Sequence, residues 1–160
     1  MKKLVLAAIV GIAAFLSSSA QAQTTAISTF NVNITLTSSC TLSAVAPVAF
    51  SYTSFQAAAS TATGGAFTVT CTNSAPYTLG LQAGPGPAVG AGAGTINVTD
   101  NFLNLAYTLT LPGTSFAGSG AVQNYTVAGN MAGGQGGTCT GSTCNNSTAT
   151  NAVQTLIIVF

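Results

Sequence analysis

Groups able to do chemistry are scarce in this sequence. Its 160 residues hold two basic side chains, Lys2 and Lys3, one acid, Asp100, no histidine, and four tyrosines at 52, 77, 107 and 125. General acid/base catalysis needs a positioned proton carrier, which His, Glu, Asp or Lys usually supplies. A single carboxylate cannot form the acid–base pair of a glycosidase. A Ser or Thr nucleophile would have no His or Lys beyond Lys3 to activate it. Asp100 stands in Val98-Thr99-Asp100-Asn101, a setting that fits a turn or capping residue. The expectation is therefore no catalytic residue, no cofactor and no enzyme.

The four cysteines, Cys40, Cys71, Cys139 and Cys144, are the remaining reactive groups. In a chain that opens with a secretory leader they point to an oxidising compartment and two disulfides. Cys40 follows one apolar alternating run and Cys71 ends another, Ala66–Cys71, which favours a bridge between neighbouring strands. Cys139 and Cys144 share one Gly/Ser/Thr loop and would make a local staple. A four-cysteine zinc site is the rival, because Cys-x4-Cys is close to half-site spacing. The other two cysteines stand far apart and oxidation competes, so no metal is expected.

Residues 1–22 read as a signal peptide. Lys2 and Lys3 form the basic start, Leu4–Leu16 the apolar core, and Ala20-Gln21-Ala22 the cleavage motif, with the cut between Ala22 and Gln23. That core is short for a membrane span, and no later segment approaches 18 consecutive apolar residues, so no membrane insertion of the mature chain is expected. Both lysines leave with the leader. What remains cannot neutralise phosphates, which excludes nucleic acid as a partner. It also lacks the like-charge repulsion that keeps proteins apart, so association is expected.

The elements that would position these groups are strands. Phe30, Val32, Ile34 and Leu36 alternate with Asn31, Asn33 and Thr35, the pattern of a half-buried strand. Ala46–Tyr52 reads as an edge strand opened by Pro47. Gln56–Thr63 could form one helical turn. Strands are expected over Ala66–Cys71, Tyr77–Gln82, Thr95–Val98, Leu103–Leu111, Val122–Val127 and Ala152–Phe160. Ala83–Gly94 and Gly129–Thr150 read as Gly-rich loops. At the C-terminus Val153, Ile157 and Val159 alternate with Leu156, Ile158 and Phe160, so both faces are apolar, as in a strand buried on two sides. Seven or eight short strands with turns between them indicate an all-β, immunoglobulin-like β-sandwich.

One family fits these pieces in order. The matching residues are Phe30-x-Val32-x-Ile34-x-Leu36-x-x-x-Cys40, Val48-Ala49-Phe50 with Tyr52, and Thr63-Gly64-Gly65-Ala66-Phe67-Thr68-Val69-Thr70-Cys71. Pro76-Tyr77 with Leu79 and Leu81, Leu105-Ala106-Tyr107-Thr108-Leu109, and a last strand ending in Phe160 complete the set. In these the chain resembles the spore coat protein U family, whose members include major pilins of archaic chaperone–usher pili. It departs from the family at Ser51, where glycine is usual, in lacking Gly-x-Tyr-x-Asp before the last strand, and in having no basic residues in its second half.

The resemblance implies a sandwich that is incomplete and is completed by a donor strand from a neighbouring subunit. Residues 23–37 would be the donor segment, inserting Phe30, Val32, Ile34 and Leu36, and 38–160 the pilin domain. Val153 and Leu156–Phe160 would border the groove and pair first with a periplasmic chaperone, then with the donor. Its partners would be copies of itself, that chaperone and an outer-membrane usher. Its place would be a fimbrium at the cell surface, reached through the periplasm, where it would serve adhesion or biofilm formation. Two other readings stay open: a non-fibrous secreted coat protein of the same fold, and a carbohydrate-binding sandwich using the tyrosines for stacking.

Overall fold

Alternation of large apolar and small polar residues over Phe67–Cys71 and Tyr77–Leu81 puts every second side chain on one face, and that face becomes the core. In the computed structural model, which describes residues 25–86 and 90–160, Phe67, Val69 and Cys71 are buried, as are Tyr77, Leu79 and Leu81. The expected leader and its cleavage site, Ala22 and Gln23, lie outside the described residues. Tertiary contacts divide the chain into Met1–Thr35 and Leu36–Phe160, and every strand belongs to the second unit.

Among the described residues that unit holds twelve short strands and no helix. One sheet has the order β1 (Cys40–Leu42), β5 (Ala66–Cys71), β10 (Val122–Thr126). A second runs β3 (Ser60–Thr61), β11 (Ala128–Met131), β8 (Ala106–Thr110), β7 (Thr95–Thr99). The third is β12 (Thr155–Val159), β6 (Pro76–Gln82), β9 (Ser115–Ala117), and β2 (Val48–Ala49) pairs with β4 (Thr63–Gly64). All pairings are antiparallel, and the result is an all-β sandwich, as the spacing of the apolar runs predicts.

The core joins the sheets. Val69, Leu79 and Cys71 are the largest fully enclosed side chains, and Leu109, Leu111 and Val127 pack with them. Each such side chain contributes about 1.5–3 kcal/mol by leaving water. Phe67, Tyr77, Phe116 and Tyr125 form an aromatic cluster, with ring centroids 4.8 Å apart for Phe116–Tyr125 and 5.6 Å for Phe67–Tyr125 and Tyr77–Phe116. Its polar atoms are satisfied internally: the hydroxyls of Tyr77 and Tyr125 are 2.6 Å apart, and Tyr77 also donates to Gln123 Oε1 at 3.1 Å. Burial, reinforced by the Tyr125 hydroxyl, pushes the Tyr77 phenol well above its usual range.

Both disulfides form as the spacing favours. Cys40 and Cys71 face each other across the β1–β5 ladder with Cα atoms 4.1 Å apart, and Cys139 and Cys144 close a local loop. All four sulfurs are thereby used, which removes the zinc site.

Several local expectations are corrected. Phe30–Leu36 lies in no strand, and its apolar side chains are exposed instead of half-buried. No helical turn forms over Gln56–Thr63; the chain there extends into β3 and β4. The strand expected over Leu103–Leu111 begins only at Ala106, because the carboxylate of Asp100 holds the preceding residues in a turn. β11 occupies the start of the supposed Gly129–Thr150 loop, and β9 went unexpected.

Candidate functional site

β12 is an edge strand of its sheet. Its five residues pair with β6 from Thr155↔Gln82 to Val159↔Thr78, and β6 carries β9 on its other side. Among the described residues nothing pairs with the outer edge of β12. An edge strand presents unpaired N–H and C=O groups to whatever extended chain comes alongside.

Beside that edge lies a cleft of about 980 Å³. One wall is the segment from Val45 to Ser54, which carries β2; the other is the start of β12. The floor is apolar, from Leu81, Leu109 and Val127, with Val48, Phe50 and Leu156 above it. Phe50 and Tyr107 meet across it with ring centroids 5.5 Å apart. The lining is mixed, because Thr53, Ser54, Thr138, Asn146 and Gln154 stand beside these apolar side chains.

One end of the cleft is polar. Asp100, 3% exposed, accepts at Oδ1 from the backbone N–H groups of Phe102 (3.0 Å) and Leu103 (2.6 Å). This is the capping role its sequence context indicates. Its Oδ2 accepts from Asn146 Nδ2 at 2.9 Å. Nearby, Gln154 Nε2 donates to Tyr107 Oη at 3.2 Å and to the Asn151 carbonyl at 2.7 Å. Burial pushes the Tyr107 phenol above its usual value; the Gln154 contact works against this, and Asp100 adds to it.

The residues singled out from sequence are distributed as follows. Leu156 and Ile158 are half-buried, and Ile157 is buried at 4% exposure. Val159 is exposed, and Val153 and Phe160 are exposed and lie outside the strand. Both faces of the C-terminal strand are covered at its middle, by burial of Ile157 on one side and packing of Leu156 and Ile158 on the other, while Val159 and the flanking Val153 and Phe160 are open. Phe30 (85% exposed), Val32 (68%), Ile34 (85%) and Leu36 (79%) lie in an extended stretch with no strand assignment. Asn146 and Gln154 are the positions that sequence reasoning missed. Both make contacts more than 40 residues away, and no local pattern marks them.

Each tyrosine has a partner inside the fold. Tyr77, Tyr107 and Tyr125 stack on other aromatic rings inside the fold, and the Tyr52 hydroxyl accepts from Gln135 N–H at 2.8 Å. Among the described residues no three His, Cys, Asp or Glu side chains gather as metal ligands would.

No curated protein and no solved structure matches the chain. A family model does, over residues 26–153, which is well over half the chain and takes in β1 to β11 with the stretch before them. That model describes the Spore Coat Protein U domain, a structural domain found in proteins of chaperone–usher pilus type. On that match, the chain belongs to the Spore Coat Protein U domain family.

Proposed function

We propose that this chain is a structural subunit of an extracellular fimbria, polymerising by donor-strand complementation along a chaperone–usher pathway. Residues 1–22 are then the signal peptide, 23–37 the donor segment and 38–160 the pilin domain. One observation carries the reading. The chain has four exposed apolar side chains in phase, Phe30, Val32, Ile34 and Leu36, and also a cleft whose lining includes Leu81, Leu109, Val127 and Leu156 beside an unpaired strand edge. The two are complementary between copies: the row supplies what the cleft lacks, and its backbone supplies a partner for β12. β-Strand addition is a known mode of peptide recognition, and donor-strand complementation is one of its standard examples.

Magnitudes support a stable junction. Four apolar side chains leaving water contribute on the order of 6–12 kcal/mol before the cost of ordering the segment, and ladder hydrogen bonds add to this. In the periplasm a chaperone strand would occupy the cleft first, and the usher would exchange it for the next subunit's row. A fibre built this way serves adhesion or biofilm formation at the cell surface, with copies of the chain as its permanent partners.

The test is a gel. Material sheared from the cell surface is run under denaturing, non-reducing conditions, unheated and boiled, for wild type and a Phe30→Asp/Ile34→Asp variant. Wild type is expected to give a high-mass ladder that collapses to monomer on boiling, and the variant only monomer. Monomer from both without heating would overturn the reading and favour a non-fibrous coat protein.

A further inference from the structure

We propose that the Asp100–Asn146 hydrogen bond is a latch: it holds the loop of residues 139–151 as the end wall of the cleft and sets how fast a seated strand escapes. The inference rests on the donor-strand reading above and adds a positioning pair to it.

Residues 139–151 form no strand, yet they lead directly into Gln154 and β12. The Cys139–Cys144 disulfide closes this loop only upon itself and ties it to nothing else. Gln154 holds the loop's last residue, Asn151, by its carbonyl; the other side-chain attachments run through the Thr99–Leu103 turn. Asn146 donates to Asp100 Oδ2, Asn101 Nδ2 donates to Thr150 Oγ1, and Asn151 Nδ2 donates to the Thr99 carbonyl at 2.8 Å. The last two are exposed, where water competes for each partner. The first is part-buried and its acceptor is a carboxylate enclosed to 3% exposure.

Three features make that bond dominate. A hydrogen bond to an ionised acceptor is roughly twice as strong as a neutral one. Beyond Lys3 the sequence holds no Lys, Arg or His that could replace Asn146 as the partner of the carboxylate. Oδ1 is already occupied by the Phe102 and Leu103 N–H groups, so Asn146 is the side chain that satisfies Oδ2. Asp100, Asn146, Cys139 and Gln154 all line the cleft. Releasing Asn146 loosens the wall, while Asn151 and Gln154 still hold the entry into β12; a strand lying against the wall loses its end support.

The experiment uses fibres of the full chain. At a fixed temperature below boiling, in denaturing detergent, the rate at which the ladder dissolves to monomer is measured for three proteins. They are wild type, Asn146→Ala, and the exchange Asp100→Asn with Asn146→Asp. The single variant should dissolve about tenfold faster. The exchange should return toward the wild-type rate, because the new amide keeps an oxygen for the two N–H groups and donates across to the new carboxylate. Hydrogen exchange at the Val69 and Leu79 amides should be alike in all three, which separates a latch from general loss of stability. An unchanged rate in Asn146→Ala, no rescue by the exchange, or faster core exchange would each overturn the latch while leaving the donor-strand reading intact. A wild type that forms no ladder would overturn both.

Discussion

Ile34 sits in an apolar run that alternates with Asn and Thr and Ile157 in one that is continuously apolar, and Ile34 is 85% exposed where Ile157 is 4% exposed. The difference is a partner. Thr155–Val159 lies along β6 in an antiparallel ladder of five residue pairs, so one side of its backbone is satisfied, Leu156 and Ile158 pack on the core cluster, and Ile157 is buried on the other face. Residues 30–36 have the same need and no ladder among the described residues. Composition makes a strand possible, and pairing decides whether it is buried. An apolar run outside a sheet and a sheet with an open edge are two halves of one unmet requirement. On the proposed reading, a second copy of the chain meets it.

Charge placed in each run should break that symmetry most strongly. Ile157→Asp puts an unpaired carboxylate into the core and should cost about 3–5 kcal/mol, enough to unfold much of the population. Urea titration followed by tyrosine fluorescence would read this as a collapse of the unfolding midpoint. Ile34→Asp changes an exposed position, so the intrachain fold should move by no more than about 0.5 kcal/mol while assembly is lost. If Ile34→Asp lowered the midpoint as far as Ile157→Asp does, Ile34 would belong to its own subunit's core and the contrast between the runs would vanish.

The same contrast shows how much could be read from residue order. Phe67, Val69 and Cys71 were legible as core because period-two alternation has one solution in a sandwich. The Cys40–Cys71 bridge was legible from Cys71, which ends the Ala66–Cys71 strand; Cys40 instead opens β1, and the apolar run before it joins no strand. β11 was not legible. Gly129 interrupts its pattern, and the reason is tertiary: a Cβ there would stand 2.6 Å from both Phe50 Cζ and Ala62 Cβ. The start of β8 was misjudged because Leu103 and Leu105 continue the alternation of the strand. Asp100, however, captures two backbone N–H groups and Asn104 takes a φ of 49°, which ends the turn and not the strand. The cleft was legible in one wall only. The Asn146 contact at its polar end joins residues 46 positions apart, and no periodicity reports that distance.

The two disulfides repeat the comparison on a smaller scale, one inside the ladder and one in the cleft's end loop. Replacing Cys40 and Cys71 by serine removes a link spanning 31 residues, worth about 3–4 kcal/mol in the chain-entropy model. Replacing Cys139 and Cys144 removes one spanning 5 residues, worth about 2 kcal/mol on the same model. Thermal melts of the two double variants should therefore fall in that order. The first should also lose packing, since Cys71 is 2% exposed. Equal shifts would mean that the end loop carries as much of the fold as the β1–β5 ladder does.

The smallest effect expected is that of salt and pH on the two regions. Residues 25–38 contain no ionisable side chain, so a junction made by them should dissociate at one rate across ionic strengths, there being no charge pair to screen. The core differs at high pH. The folded Tyr77 phenol titrates above its ordinary value near 10 because ionising it would bury a charge, and Tyr107 is displaced the same way. A raised folded value means that the native state binds its proton more tightly than the unfolded chain does. The stabilisation is therefore fully present below pH about 10 and is lost as pH climbs beyond it. Unfolding midpoints measured between pH 7 and about 9 should agree, then fall above about 10, and Tyr77→Phe should delay that fall. If fibre dissociation instead accelerated steeply with salt at neutral pH, charge would be holding the junction, and the uncharged Phe30–Leu36 row would not be what joins one copy to the next.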